Sequence, residues 1–149
     1  MSETQKTRRA FVRTGMSALG AGYAGLIGYP VYEYLATPAE RAAASAAVTA
    51  TTLDGADSLP AGSAMMFKFG LKPAILIHHA DGSWVAMSAV CTHLGCTVAY
   101  EGARGRIECA CHGGVYDAHT GANVSGPPPA PLRAYTVTVA AGAVTVSLA

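Results

Sequence analysis

The strongest constraint on this chain is the placement of its cysteines. All four stand in two short blocks, Cys91-Thr92-His93-Leu94-Gly95-Cys96 and Cys109-Ala110-Cys111-His112-Gly113-Gly114, and the same 24 residues hold two of the five histidines. A Cys-x-His followed after a spacer by Cys-x-x-His can present two thiolates and two imidazoles from facing loops, a donor set that binds a metal. A tetrahedral zinc site would be complete with Cys91, His93, Cys109 and His112 and would leave Cys96 and Cys111 without a role. The leftover pair favours an iron centre over zinc.

The two blocks resemble the C-T-H-L-G-C and C-x-C-H-G-S/G motifs of the Rieske family, whose [2Fe-2S] centres carry two histidines in place of two cysteines on one iron. The resemblance implies that Cys91 and Cys109 hold one iron and His93 and His112 the other. It also implies that Cys96 and Cys111 form the disulfide tying the loops together in the quinol-oxidising branch, a pair that the Rieske ferredoxins of dioxygenases lack. After the second histidine the quinol-oxidising members commonly read Gly-Ser-x-Tyr, with the serine bonded to a bridging sulfide and the tyrosine to a cysteine sulfur. This chain reads Gly113-Gly114-Val115-Tyr116. Tyr116 matches the tyrosine, and Gly114 removes the serine donor, which implies a lower potential and a low-potential donor such as menaquinol. Gly126-Pro127-Pro128-Pro129 resembles the proline loop that covers the cluster, and Leu94 falls at the exposed tip of the first block.

The ligand set has its own electrostatic consequence. Two ferric ions, two sulfides and two thiolates sum to zero charge, whereas four thiolates leave the oxidised cluster doubly negative. An added electron is therefore held more easily, and potentials move from about −400 mV to between roughly −150 and +300 mV. Each ligating imidazole keeps one nitrogen off the metal, and that nitrogen binds a proton more strongly once the iron is reduced. His93 and His112 are therefore the candidate groups for proton-coupled electron transfer and contact with quinol.

At the N-terminus, Thr7-Arg8-Arg9-Ala10-Phe11-Val12-Arg13 resembles the twin-arginine export motif, with Arg8 and Arg9 as its core. Thr14 to Tyr32 follows with 19 uncharged residues, about 28 Å as a helix and close to the thickness of a bilayer core. The basic residues on one side place the N-terminus in the cytoplasm and the remainder outside. Export of a folded protein suits a cluster inserted beforehand, and the destination permits a disulfide. The segment holds five glycines and Pro30, as cleavable signals often do, and Ala44-Ser45-Ala46 could serve as a cleavage site. An uncleaved anchor is the preferred reading, because Ile27 to Leu35 resembles the end of the membrane helix in cytochrome bc-type Rieske proteins.

These signals divide the chain into a cytoplasmic segment (1–13), a transmembrane helix (14–36), an alanine-rich linker or hinge (37–58) and a Rieske [2Fe-2S] domain (59–149). The last part is expected to be all-β, an antiparallel sandwich with a cluster-binding subdomain. Ala64 to Phe69, Ala74 to His79 and Trp84 to Ser88 are apolar-rich runs, with a turn at Ala80-Asp81-Gly82. Val98 to Tyr100 and Arg106 to Glu108 flank a hairpin turn, and Tyr135 to Val139 and Val144 to Leu148 alternate β-branched residues. The net charge of +1 gives no sign of nucleic-acid binding. His78 and His79 are neighbours expected to point to opposite faces, and His119 reads as a solvated turn residue. Trp84, Tyr100, Met65 and Met66 read as packing residues.

The expected function is therefore electron transfer in a prokaryotic cytoplasmic membrane, on its outer side, as the Rieske subunit of a cytochrome bc-type complex. Quinol would be the donor, a c-type cytochrome the acceptor, and a cytochrome b-type subunit the membrane partner. Catalysis belongs to the complex, since no quinol pocket can be built from this chain alone. The alternatives are the Rieske subunit of an exported molybdenum oxidoreductase, resembling arsenite oxidase, and a zinc-stabilised exported binding domain.

Overall fold

The computed structural model describes residues 3–149 and divides into two units, the first ending at Ala43 and the second running from Ala44 to Ala149. The first is dominated by one helix, α1 (Glu3–Ala46), which continues through Pro30 and Pro38. Among the described residues no helix is long and apolar enough to cross a membrane. The transmembrane helix expected over 14–36 lies within α1. The length is present, but the five glycines, Pro30 and Tyr23, Tyr29, Tyr32 and Tyr34 dilute the apolar side chains.

The second unit is β throughout apart from its first residues and two short 3-10 helices. Its strands are β1 (Ala50–Leu53), β2 (Ser63–Phe69), β3 (Lys72–His78), β4 (Trp84–Ser88), β5 (Ala99–Glu101), β6 (Arg106–Cys109), β7 (Gly114–Asp117), β8 (Asn123–Ser125), β9 (Ala134–Ala140) and β10 (Ala143–Leu148). They form a six-stranded sheet in the order β1-β10-β9-β4-β3-β2 and a four-stranded sheet in the order β5-β6-β7-β8. Every pairing is antiparallel.

Alternation along β3 shows how the sheets pack. Ala74 and Leu76 enter one core with Leu53, Phe69, Ala86, Tyr135, Val144 and Val146. Ile75 and Ile77 point to the opposite face and enter a second core with Met87, Val98, Ile107, Tyr116 and Leu132. Successive strand residues face opposite sides, so a central strand buried on both faces reads as the continuous apolar run seen here. The first core draws on β1 and β2, which lie at opposite ends of the strand order and still touch. The six-stranded sheet is therefore curled on itself. The second core joins it to the four-stranded sheet, which carries the second cysteine block.

Part of the segment expected as a linker or hinge over 37–58 takes regular structure. The helix runs to Ala46, and β1 pairs with β10 in register from Ala50 opposite Ser147 to Leu53 opposite Val144. Leu53 and Ala56 are buried in the first core. Leu53→Ala should therefore lower stability by about 2–3 kcal/mol, read as a lower urea midpoint. A change within error would return this segment to the status of a linker.

Candidate metal centre

Both cysteine blocks fold as tight loops closed in the same way. In the first, Val90 bridges Thr97, the Cys91 N–H donates to the Cys96 carbonyl at 2.8 Å, and the Gly95 N–H donates to the Cys91 carbonyl at 3.0 Å. In the second, between β6 and β7, the Gly113 N–H donates to the Cys109 carbonyl at 3.0 Å. Each loop thus returns four residues after its first cysteine.

Cys96 and Cys111 are joined in a disulfide with their Cα atoms 6.6 Å apart, the pairing expected from the motifs. Cys91 and Cys109 remain free thiols, both buried. The sulfurs of Cys96, Cys109 and Cys111 lie within 4.8 Å of one another, but two of the three are spent in the disulfide and have no thiolate to offer. The His93 and His112 rings meet edge to face, centroids 4.9 Å apart at 88°. His93 Nδ1 is buried with no hydrogen-bond partner, an orphaned polar atom of the kind that a metal satisfies. Two free thiols and two imidazoles, one with an unmet nitrogen, have the composition that a two-histidine [2Fe-2S] centre requires.

Tyr116, fully buried on β7, supports the first loop. Its hydroxyl accepts from the Thr92 N–H at 3.0 Å, so its own proton can point to Cys91 Sγ, 3.2 Å away. Thr92 Oγ1 lies 3.2 Å from the same hydroxyl and donates to the Ala130 carbonyl at 2.7 Å. Burial alone would push the Cys91 thiol up. The Tyr116 hydroxyl, the His93 and Leu94 N–H groups and Cys109 outweigh it and hold Cys91 below the usual thiol range. Burial, and next the bond to Cys91, push the Tyr116 phenol up. The role of Thr92 was missed from sequence, although it stands inside the motif.

The proline loop lies directly on the second block. Pro128 is buried, its carbonyl accepts from Asn123 Nδ2 at 3.1 Å, and its ring sits over Gly114. A Cβ at Gly114 would stand 2.6 Å from Pro128 Cγ and 3.6 Å from Cys109 Cβ. Gly126 has φ +89°, and a Cβ there would stand 2.8 Å from the Gly113 carbonyl and from Gly114 Cα. Glycine at both positions lets the loop close on the second block, with Pro127 exposed on its outer side. Leu94 is 71% exposed, at the tip of the first loop.

Residues 50–136 match the family model for the Rieske [2Fe-2S] domain. The chain belongs to this family. Its cofactor is one [2Fe-2S] cluster, and the zinc alternative falls away. Among relatives of the Rieske chain is the cytochrome b6-f complex iron-sulfur subunit of Chlorobaculum tepidum, 36% identical over 95% of this chain and 76% of that one. Similar solved structures include the ferredoxin of carbazole 1,9a-dioxygenase from Nocardioides aromaticivorans IC177, with TM-score 0.58 and 27% identity, covering 68% of this chain and 99% of that one. The cyanobacterial plasma membrane Rieske protein from Synechocystis PCC 6803 matches with TM-score 0.52 and 27% identity, over 56% of this chain and 85% of that one.

Hydrogen bonds to sulfur raise the potential of an iron–sulfur centre. Tyr116→Phe keeps the ring and removes the donor, so the midpoint potential should fall while the fold loses only about 1 kcal/mol. An unchanged potential in a redox titration of the variant would show that the bond to Cys91 does not reach the cluster.

Proposed function

We propose that this chain is the electron-transferring subunit of a cytochrome bc-type quinol oxidoreductase, with Cys91 and Cys109 on one iron and His93 and His112 on the other. The observation that carries this reading is the Cys96–Cys111 disulfide, the feature by which the quinol-oxidising branch differs from the dioxygenase ferredoxins that share the fold. The relative named as a cytochrome b6-f subunit supports it, because that similarity takes in 95% of the chain and so extends beyond the cluster domain.

When bound, the cluster supplies a one-electron acceptor. The residues around it would do the rest. His93 and His112 would each turn one ring nitrogen away from the metal, where an unprotonated nitrogen accepts the proton of a quinol hydroxyl as the electron is taken up. Leu94, exposed beside them, would pack against the quinol pocket of a cytochrome b-type subunit. Tyr116 would fix the Cys91 sulfur, and Pro128 would keep water from the Cys109 side. The electron would pass to a c-type cytochrome, and the second electron of quinol to cytochrome b.

The helix α1 would lie among neighbouring membrane subunits, its glycines allowing close packing, with Arg8 and Arg9 as export signal on the cytoplasmic side and the cluster domain outside. This would explain a helix rich in small residues and low in hydropathy. Menaquinol is the favoured donor because Gly114 supplies no hydroxyl to the cluster.

A redox titration of the purified, cluster-loaded chain across pH tests the proposal. The expected result is a midpoint potential that falls as pH rises through the histidine ionisations, and a low, pH-independent potential would contradict it. The menaquinol reading has a separate test. Gly114→Ser alone forces the ring of Pro128 aside at a cost of about 1–3 kcal/mol, so the serine is introduced together with Pro128→Ala. The double variant should have a higher potential than Pro128→Ala alone; an equal one would remove the argument from the missing hydroxyl.

A further inference from the structure

His79 follows β3 and is only 4% exposed, and its Nε2 is buried with no hydrogen-bond partner. Its ring lies flat on that of His119, centroids 3.7 Å apart at 13°, and meets Tyr100 edge to face at 6.3 Å. His119 is the exposed turn residue expected, and its ring also covers that of His79. The turn that presents it, between β7 and β8, is built on Asp117 Oδ1, which accepts from the N–H groups of His119 at 3.0 Å and Thr120 at 2.8 Å and from Thr120 Oγ1 at 2.8 Å. Its closing bond runs from the Gly121 N–H to the Asp117 carbonyl at 2.9 Å. The stack thus ties a turn of the four-stranded sheet to the end of β3 in the six-stranded sheet. It begins one residue after Tyr116, outside the metal centre. Among the described residues no third histidine, cysteine or carboxylate closes with the pair into a metal-binding group, so the pair has to be read through its own charge.

We propose that the His79–His119 stack is a pH-operated clasp between the two sheets, closed while the rings are uncharged and opened when both carry a proton. Two flat uncharged imidazoles attract by stacking, whereas two imidazolium rings at this separation repel, with water reaching them only from the exposed His119 side. Protonated His79 would also bury an N–H donor at Nε2 with nothing to accept it.

The groups facing His79 work in both directions. Burial, followed by the charge of His119, lowers its proton affinity, while the Ala118 backbone, Asp81 in the β3–β4 turn and Asp117 at the end of β7 raise it. From β5, Tyr100 meets the ring edge to face. His78 turns to the other face, where it stacks on Trp84 at 4.0 Å. The net effect holds His79 below the usual histidine range. The unfolded chain, with a histidine pKa of about 6.5, therefore takes up its proton first as pH falls. The stabilisation is fully present above that value and is lost as pH drops through it toward the lower value of the folded state.

Amide hydrogen exchange on the full cluster-loaded chain at about pH 7.5 and about pH 5, corrected for intrinsic exchange rates, reads the clasp directly. In the native chain the Gly121 amide should lose about tenfold or more of its protection at the lower pH. His119→Phe, which keeps a flat ring without the charge, should lose clearly less protection over the same range, retaining only the part due to the burial of His79. His119→Gln, which removes both, should be less protected than the native chain at about pH 7.5 and lose less on going to the lower pH. No loss in the native chain, or a loss of the same size in either variant, would overturn the proposal. Protonation of His93 or His112 affects all three chains alike and cancels in the comparison.

Discussion

The link between Cys96 and Cys111 organises the site. It spans 15 residues of sequence, and closing a loop of that size contributes roughly 3 kcal/mol by limiting the unfolded chain. Its larger effect is local. Two separate loops, one leaving the six-stranded sheet and one turning between β6 and β7, are locked together at their outer ends. The bond also divides the four cysteines, because the two it consumes are unavailable and the two it leaves are the buried pair. Those two belong to the same core as Ile75, Ile107 and Tyr116, so the floor of the centre is continuous with the packing that joins the sheets.

Around that floor, small residues and hydroxyls decide how close the surroundings come. Tyr116 and Thr92 pull the first loop down by a chain of contacts that ends on the Ala130 carbonyl. On the second loop the absence of a side chain at Gly114 lets Pro128 rest against the backbone beside Cys109. The same glycine that removes a hydroxyl thereby admits an apolar ring. Loss of a polar donor and exclusion of water are coupled at one position, and a substitution that restores the first must disturb the second.

Much of the domain was legible because its strands carry regular patterns. The apolar runs at β2, β3 and β4 and the alternating pair β9 and β10 lie within one or two residues of their expected bounds. Three strands were not legible. β8 is exposed at all three positions, so no face of it carries an apolar signal, and β7 is four residues long and opens on a glycine. β1 follows an alanine-rich helix and reads as Ala-Thr-Thr-Leu, whose single large apolar residue, Leu53, is buried among core residues of distant strands. Within the centre, the motif carried the disulfide and Tyr116, but the packing of Pro128 on Gly114 depends on a fold-level approach that no local pattern encodes. The stack of His79 on His119 escaped for the same reason, since the two rings are brought together across two sheets.

We claim that His93 and His112 both ligate a cluster whose sulfur ligands are Cys91 and Cys109. Electron paramagnetic resonance of the reduced protein, with nitrogen hyperfine couplings measured after labelling histidine with nitrogen-15, tests that claim most directly. Two strongly coupled histidine nitrogens are predicted, one of them lost in His93→Cys and the other in His112→Cys where those variants retain a cluster. A reduced cluster with no histidine coupling in the native chain would contradict the account.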